Sequence, residues 1–254
     1  MRRVFVIATN TFRETIRDRV LGVIVLFALL MIAGSLWLAS ISLGEEARTM
    51  YDFGLVAVTL FGLVVAVFVG ASLVHKEVDK RTVFILFSKP VSRGEFIWGK
   101  FIGLAGTLFV VVAAMGLFLF LLTWLATSDA SGWLWVAVAT TYLQLLVVMA
   151  ATIFFSTVTS SILASTLGLC IYLGGQISHN VLSLSELGRD FATKVGSWLV
   201  FVVVPNLNAV DVKAAVVGEA TPHMGAIAAW CGYLVAYCVA SLLLATVVFR
   251  RKEF

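Results

Sequence analysis

The sequence predicts an all-α integral membrane protein: six transmembrane helices, an N-terminal amphipathic helix before the first, a cytoplasmic helix between the second and third, and re-entrant extracytoplasmic helices between the fifth and sixth. Three observations carry this. Of 254 residues, 61% are apolar and only 13% charged, against roughly 25% charged in an ordinary soluble domain. The mean hydropathy is +1.05, and so much apolar side chain in one aqueous globule would leave large exposed patches. The charges also cluster, leaving six charge-free apolar runs: Val20–Leu43, Phe53–Val74, Phe101–Leu125, Trp133–Ser156, Ile162–Ile177 and Ala226–Phe249. All but the fifth hold 22 to 25 residues, enough to cross about 30 Å of hydrocarbon with some tilt. The chain reads as one transmembrane domain over 1–254.

Residues 1–19 come first. Phe5, Ala8, Phe12 and Ile16 recur at helical spacing among Arg2, Arg3, Arg13, Glu14, Arg17 and Asp18, the pattern of an interfacial helix lying along the inner leaflet. A cleaved signal is not expected, because the apolar run after Arg3 is short and the one from Val20 is too long.

Residues 75–100 separate the second and third spans. Glu77 to Arg81 mark the exit of the second, Thr82 to Ser88 form a short apolar helix, and Lys89-Pro90 ends it because proline disfavours helix in the residue before it. Ser92-Arg93-Gly94-Glu95 has capping-box spacing and predicts the start of a new helix running into the third span. Phe84, Leu86 and Phe87, rimmed by Lys80, Arg81, Lys89 and Arg93, are thus a cytoplasmic apolar surface suited to a protein partner. Gly94 to Lys100 matches the first seven positions of a phosphate loop, but Phe101 stands where Ser or Thr is required and no strand precedes it. Gly99 and Gly103 have the GxxxG spacing that lets the third span pack closely on a neighbour.

Polar residues inside the later spans are uncharged: Thr107, Thr123, Thr140, Thr141, Tyr142, Gln144, Thr152 and Thr166. Interhelical hydrogen bonds are their default role, and Tyr142, Gln144 and Thr107 are candidates to line a translocation path. Over 178–225, Leu184, Leu187, Phe191 and Val195 predict an amphipathic helix, and Trp198 to Pro205 a re-entrant piece. Cys170, Cys231 and Cys238 lie within spans without a CxxC pair and read as small core residues.

Orientation follows from the positive-inside rule. With both termini in the cytoplasm, fourteen of eighteen Lys and Arg lie inside and eight of fourteen Asp and Glu outside, so the basic pI of 9.1 is a topology signal and implies no nucleic-acid partner. No Asp, Glu, Lys, Arg or His falls within the six runs, which disfavours proton coupling. No Ser/His/acid constellation or metal-ligand spacing occurs.

In this order of parts the chain resembles the type-2 permeases of ATP-binding-cassette (ABC) exporters, also called ABCG-like or type V. The most specific stretch is Glu77 to Lys100, where Arg81-Thr82, Leu86, Ser88-Lys89-Pro90-Val91-Ser92-Arg93 and Gly99-Lys100 resemble the family's pattern, with Arg81 in place of a frequent glycine. The length and the Lys89 to Arg93 run are most similar to the NosY-like (copper-enzyme maturation) and gliding-motility groups.

The resemblance implies that the short helix in 75–100 is a coupling helix docking on a separate ABC ATPase, through Glu77, Arg81, Thr82, Phe84, Leu86, Phe87, Lys89, Pro90 and Arg93. It implies two permease copies around the path, no cofactor on this chain, and ATP with magnesium on the partner. The expected function is that of a non-enzymatic permease subunit in a bacterial or archaeal inner membrane, exporting a substrate or transmitting the ATPase's motion. The alternative is a non-transporting scaffold that holds an extracytoplasmic partner through 178–225.

Overall fold

The structure is a computed structural model that describes residues 2–16, 21–39, 46–79, 93–127, 131–187, 204–210, 212, 216 and 224–251, with side chains described over somewhat shorter stretches of the same helices. Nearly all of these residues fall in seven α-helices: α1 (Arg2–Thr15), α2 (Leu21–Ala39), α3 (Glu46–Asp79), α4 (Arg93–Thr127), α5 (Trp133–Val158), α6 (Ser161–Leu187) and α7 (Met224–Arg251). Among the described residues there is no strand.

The five helices α3 to α7 are long and apolar enough to cross a membrane. The 19 residues of α2 would rise about 28 Å, but its stretch with described side chains, Gly22–Gly34, is shorter than a span. Among the described residues, then, five of the six predicted spans are long and apolar enough to cross, and part of α2 lies outside the described side chains.

Most helices outrun the apolar segments that predict them, because helical backbone continues into charged ends until a breaker or a cap intervenes. For α4 that point is Arg93, directly after Ser92, with Glu95 in the first turn, as the capping box predicts. Gly94 to Lys100 is helical throughout, so the apparent phosphate-loop match forms no loop. The separate amphipathic helix expected from Ser178 is corrected over its first turns: α6 continues unbroken to Leu187. No proline interrupts it, and the Ser178 hydroxyl donates to the Gly175 carbonyl at 3.0 Å, a bond made within the helix itself.

The bundle is built around α3 and α5. Around this pair, α2 packs on α3 and α4, α6 on α3 and α5, α7 on α4 and α5, and α1 on α4. Hydrophobic transfer from water does not hold spans together in lipid, so close approach past small residues must do so. On α3, Gly54 receives Leu119, Gly62 receives Leu145 and Gly70 receives Met149. Large side chains such as Phe27, Leu108, Met115, Leu145 and Ile153 are fully buried between the helices. The expectation that all three cysteines are core residues holds for Cys238, which is buried, whereas Cys170 is exposed on α6, the least covered of the spans.

One end of the bundle gathers five chain segments. Phe96, near the start of α4, stacks on Phe249, near the end of α7, at 6.2 Å between ring centroids. The Ser161 hydroxyl at the α5–α6 turn donates to the Ala71 carbonyl on the last turns of α3 at 3.3 Å. At the opposite end the Ser131 amide donates to the Tyr51 hydroxyl at 3.0 Å, joining the start of α5 to that of α3. A Cβ on Gly99, one turn beyond Phe96, would lie 3.1 Å from the Val4 carbonyl oxygen, so the start of α1 and the end of α7 lie at the same end.

Candidate functional site

The candidate coupling segment springs from that end. α3 and α4 pack on each other, so residues 80–92 join two neighbouring helix ends. Glu77 lies in the last turn of α3 and Arg93 opens α4. Arg81, Thr82, Phe84, Leu86, Phe87, Lys89 and Pro90 lie outside the described residues.

Beside this junction α1 occupies a groove cut into α4 by glycines. A Cβ on Gly103 would sit 2.5 Å from the Ala8 carbonyl oxygen and 2.8 Å from Thr11 Cβ; one on Gly99 would sit 2.9 Å from Ile7 Cβ, and one on Gly106 3.2 Å from Phe12 Cδ2. Residues 7, 8, 11 and 12 of α1 thus meet residues 99 to 106 of α4 in ascending order, so the two helices run side by side in the same direction. The GxxxG spacing has found a close neighbour, and it is the amphipathic helix. This revises the reading of α1 as a helix resting on the leaflet by its Phe5, Ala8, Phe12 and Ile16 stripe: Ala8 is buried at 6% exposure, but Phe5 is 73% exposed. Close helix contact demands small groups at the crossing, so Ala8 and Thr11 enter the groove and Phe5 is left outside.

The uncharged polar residues of the spans divide into two kinds. The threonine hydroxyls donate within their own helices, Thr107 to the Gly103 carbonyl at 3.2 Å, Thr152 to Val148 at 2.8 Å and Thr166 to Ile162 at 3.0 Å. Back-bonding of this kind is always within reach of a threonine in a helix, which is why the expected interhelical bonds are absent at these three. Tyr142 and Gln144 do reach across. The Tyr142 hydroxyl on α5 donates to the Ala105 carbonyl on α4 at 3.0 Å, and its ring meets exposed Phe109 edge-on at 5.6 Å. Gln144, also on α5, donates through Nε2 to the Leu207 carbonyl at 2.9 Å.

Leu207 belongs to an irregular segment, Val204 to Leu207, that leads into a 3-10 turn over Asn208–Val210. It lies deep. Gln144 precedes the end of α5 by fourteen residues and Gly175 follows the start of α6 by fourteen, placing both roughly 21 Å from the shared α5–α6 turn. Irregular backbone at such depth must find its hydrogen bonds inside the protein. The Leu207 amide donates to the Gly175 carbonyl at 3.1 Å, the Leu207 carbonyl accepts from Gln144, and the Asn206 side-chain oxygen accepts from the Ala209 amide at 3.2 Å. A Cβ on Gly175 would fall 2.7 Å from the Pro205 carbonyl oxygen and 2.7 Å from Leu207 Cγ, and one on Gly174 3.2 Å from Val204.

Adjacent glycines on α6 are thus the seat for this segment. The sequence reading passed over Gly174-Gly175; a glycine pair inside an apolar helix, with Pro205-Asn206 downstream, was the available signal. Pro205, Asn206, Leu207, Val210, Val212 and Val216 are buried, so this part of 178–225 turns its side chains to the bundle.

The fold defines a class, a multi-pass membrane protein whose described residues are almost wholly helical. The particular family follows from comparison: the model for the ABC-2 family transporter protein matches residues 5–254, and the chain belongs to that family. Its members are the non-catalytic transmembrane components of ABC transporters, working with ABC ATPases. No curated protein matched the chain.

Proposed function

We propose that this chain is the membrane subunit of an ATP-driven ABC exporter or mechanotransmitter whose power enters through residues 75–100. The observation that supports this reading is that α3 and α4, which residues 80–92 join in sequence, pack on each other, with the start of α4 at the end of the bundle where the start of α1 and the end of α7 also lie. That end is the cytoplasmic one by the distribution of Lys and Arg. A partner ATPase, carrying ATP and magnesium, grips Phe84, Leu86 and Phe87, and its closure displaces the start of α4. α1 moves along with α4 because the two interlock at Gly99, Gly103 and Gly106.

α2 is the sixth span. It runs antiparallel to α3, Gly34 against Phe53, and Phe27 wedges edge-on between Phe61 and Phe118 at 5.9 and 6.2 Å. Six spans return the chain to the side on which it starts. A second copy completes the path, and α6, with exposed Thr166 and Cys170 and the lowest hydropathy of the spans, is the face it meets. Of the three polar residues expected on a path, Tyr142 is the one we assign to it, since Gln144 and Thr107 are buried at 3% and 1% exposure.

The test replaces Phe84, Leu86 and Phe87 together with Asp in chain co-expressed with its ATPase. The ATPase is expected to separate from the detergent-purified permease, whose unfolding temperature stays at the wild-type value. A complex that survives intact overturns the docking assignment.

A further inference from the structure

We propose that water is bound inside the bundle at the seat of the 204–210 segment, accepting a hydrogen bond from Asn206 Nδ2 and donating one to Gln144 Oε1. Gln144 and Asn206 are each 3% exposed, and each commits one end of its carboxamide to a bond already described. A carbonyl oxygen only accepts, so the Leu207 carbonyl turns the nitrogen of Gln144 toward itself and leaves the oxygen for another partner. A backbone amide only donates, so the Ala209 amide turns the oxygen of Asn206 toward itself and leaves the nitrogen with its two hydrogens.

The two remaining ends are complementary, an acceptor and a donor. Asn206 directly precedes Leu207, the residue that Gln144 holds. Among the described residues, however, these ends make no hydrogen bond to each other or to any other group. An amide end buried without a partner is costly, and such groups in folded proteins are satisfied by protein or by ordered water.

The chemistry of the two ends selects the ligand. The amide hydrogens of Asn206 repel a cation and the oxygen of Gln144 repels an anion. Neither ion finds a counter-charge, because no Asp, Glu, Lys, Arg or His occurs in 133–156, 162–177 or 204–210. Water is the smallest neutral molecule that donates to one end and accepts from the other. A buried water makes about three hydrogen bonds, and Thr141 offers a third: it is 3% exposed and stands one turn before Gln144 on the same side of α5.

Irregular backbone at membrane depth is tolerated where it is buried in protein or meets water, and this segment then has both. The water takes only the free ends and leaves the bond from Gln144 to Leu207 intact. This inference concerns the packing of the chain itself and depends neither on the ATPase assignment nor on transport.

The test is X-ray hydroxyl-radical footprinting of the full chain in lipid nanodiscs prepared in heavy-oxygen water, paired with amide hydrogen exchange across 204–210. Radicals formed from a bound water oxidise the side chains beside it. Leu207 is therefore expected to take up heavy oxygen several-fold faster than Leu55 on α3 and Leu119 on α4, all three being 0% exposed. The Leu207 and Ala209 amides, both hydrogen-bonded within the protein, should stay protected. In Q144L/N206L, which removes both free ends, the excess oxidation of Leu207 should be lost.

Oxidation of Leu207 no faster than that of Leu55 and Leu119 overturns the proposal. Fast oxidation together with fast amide exchange equally overturns it, since the segment would then be open to bulk water instead of holding a bound molecule. Excess oxidation that persists in Q144L/N206L with the amides still protected overturns the assignment to these two residues.

Discussion

A single amide side chain, Gln144, holds an irregular stretch of backbone at mid-bundle. Its Nε2 donates to the Leu207 carbonyl at 2.9 Å with Gln144 itself 3% exposed, so the bond has no water to compete with it. Replacing Gln144 with Leu leaves that carbonyl without its donor and should cost about 1 to 3 kcal/mol. In thermal unfolding of the detergent-solubilised chain this reads as a lowering of roughly 2 to 4 °C for each kcal/mol. Tyr142→Phe removes a comparable bond, to Ala105, from a half-buried residue at the bundle surface. It should cost less, about 0.5 to 1.5 kcal/mol. If the two variants unfold together with the wild type, neither bond contributes to stability as described.

At the scale of elements, two glycine-lined contacts decide where non-spanning segments go. Gly103→Leu forces a branched side chain against the Ala8 carbonyl and Thr11, and should expel α1 from α4. Limited proteolysis within residues 2–15 should accelerate, with about 1 to 3 kcal/mol lost. Gly22 on α2 has nothing within 4 Å of its would-be Cβ, so Gly22→Ala should be neutral or stabilising by up to about 1 kcal/mol through helix propensity. Gly175→Val strikes Pro205 and Leu207 in the same way and should raise hydrogen exchange across 204–210 while leaving α3 unchanged. Unaltered exchange there would contradict the seating of this segment on α6.

Much of the element structure was legible in the residues. Apolar runs and capping signals locate the cores of α2 to α7, and the start of α4 at Arg93 follows from Ser92 and Glu95. What the pattern left open was partnership. GxxxG spacing tells that some backbone comes close, but helical periodicity is the same whether the neighbour is a span or an amphipathic helix. The unbroken run of α6 past Ser178 was likewise unreadable, because a polar serine ends an apolar run without ending a helix.

For the molecule as a whole, low charge content is what permits the core to be closed by self-satisfied threonines and a few crossing bonds. The five helices long and apolar enough to span a membrane and the family match over residues 5–254 agree on a multi-pass permease body, which we propose is driven at the end where the start of α1 and the end of α7 lie. The candidate interface was legible there as composition, an apolar Phe84-Ile85-Leu86-Phe87 run between basic residues, and its anchoring was legible only from the packed ends of α3 and α4.

The most direct test of this account is photocrosslinking in living cells from a benzoylphenylalanine placed at Phe87. The account predicts one dominant protein adduct, identified by mass spectrometry as an ABC ATPase and lost when Phe84 and Leu86 are also changed to Asp. An adduct confined to lipid, or to a protein without a nucleotide-binding domain, would contradict it.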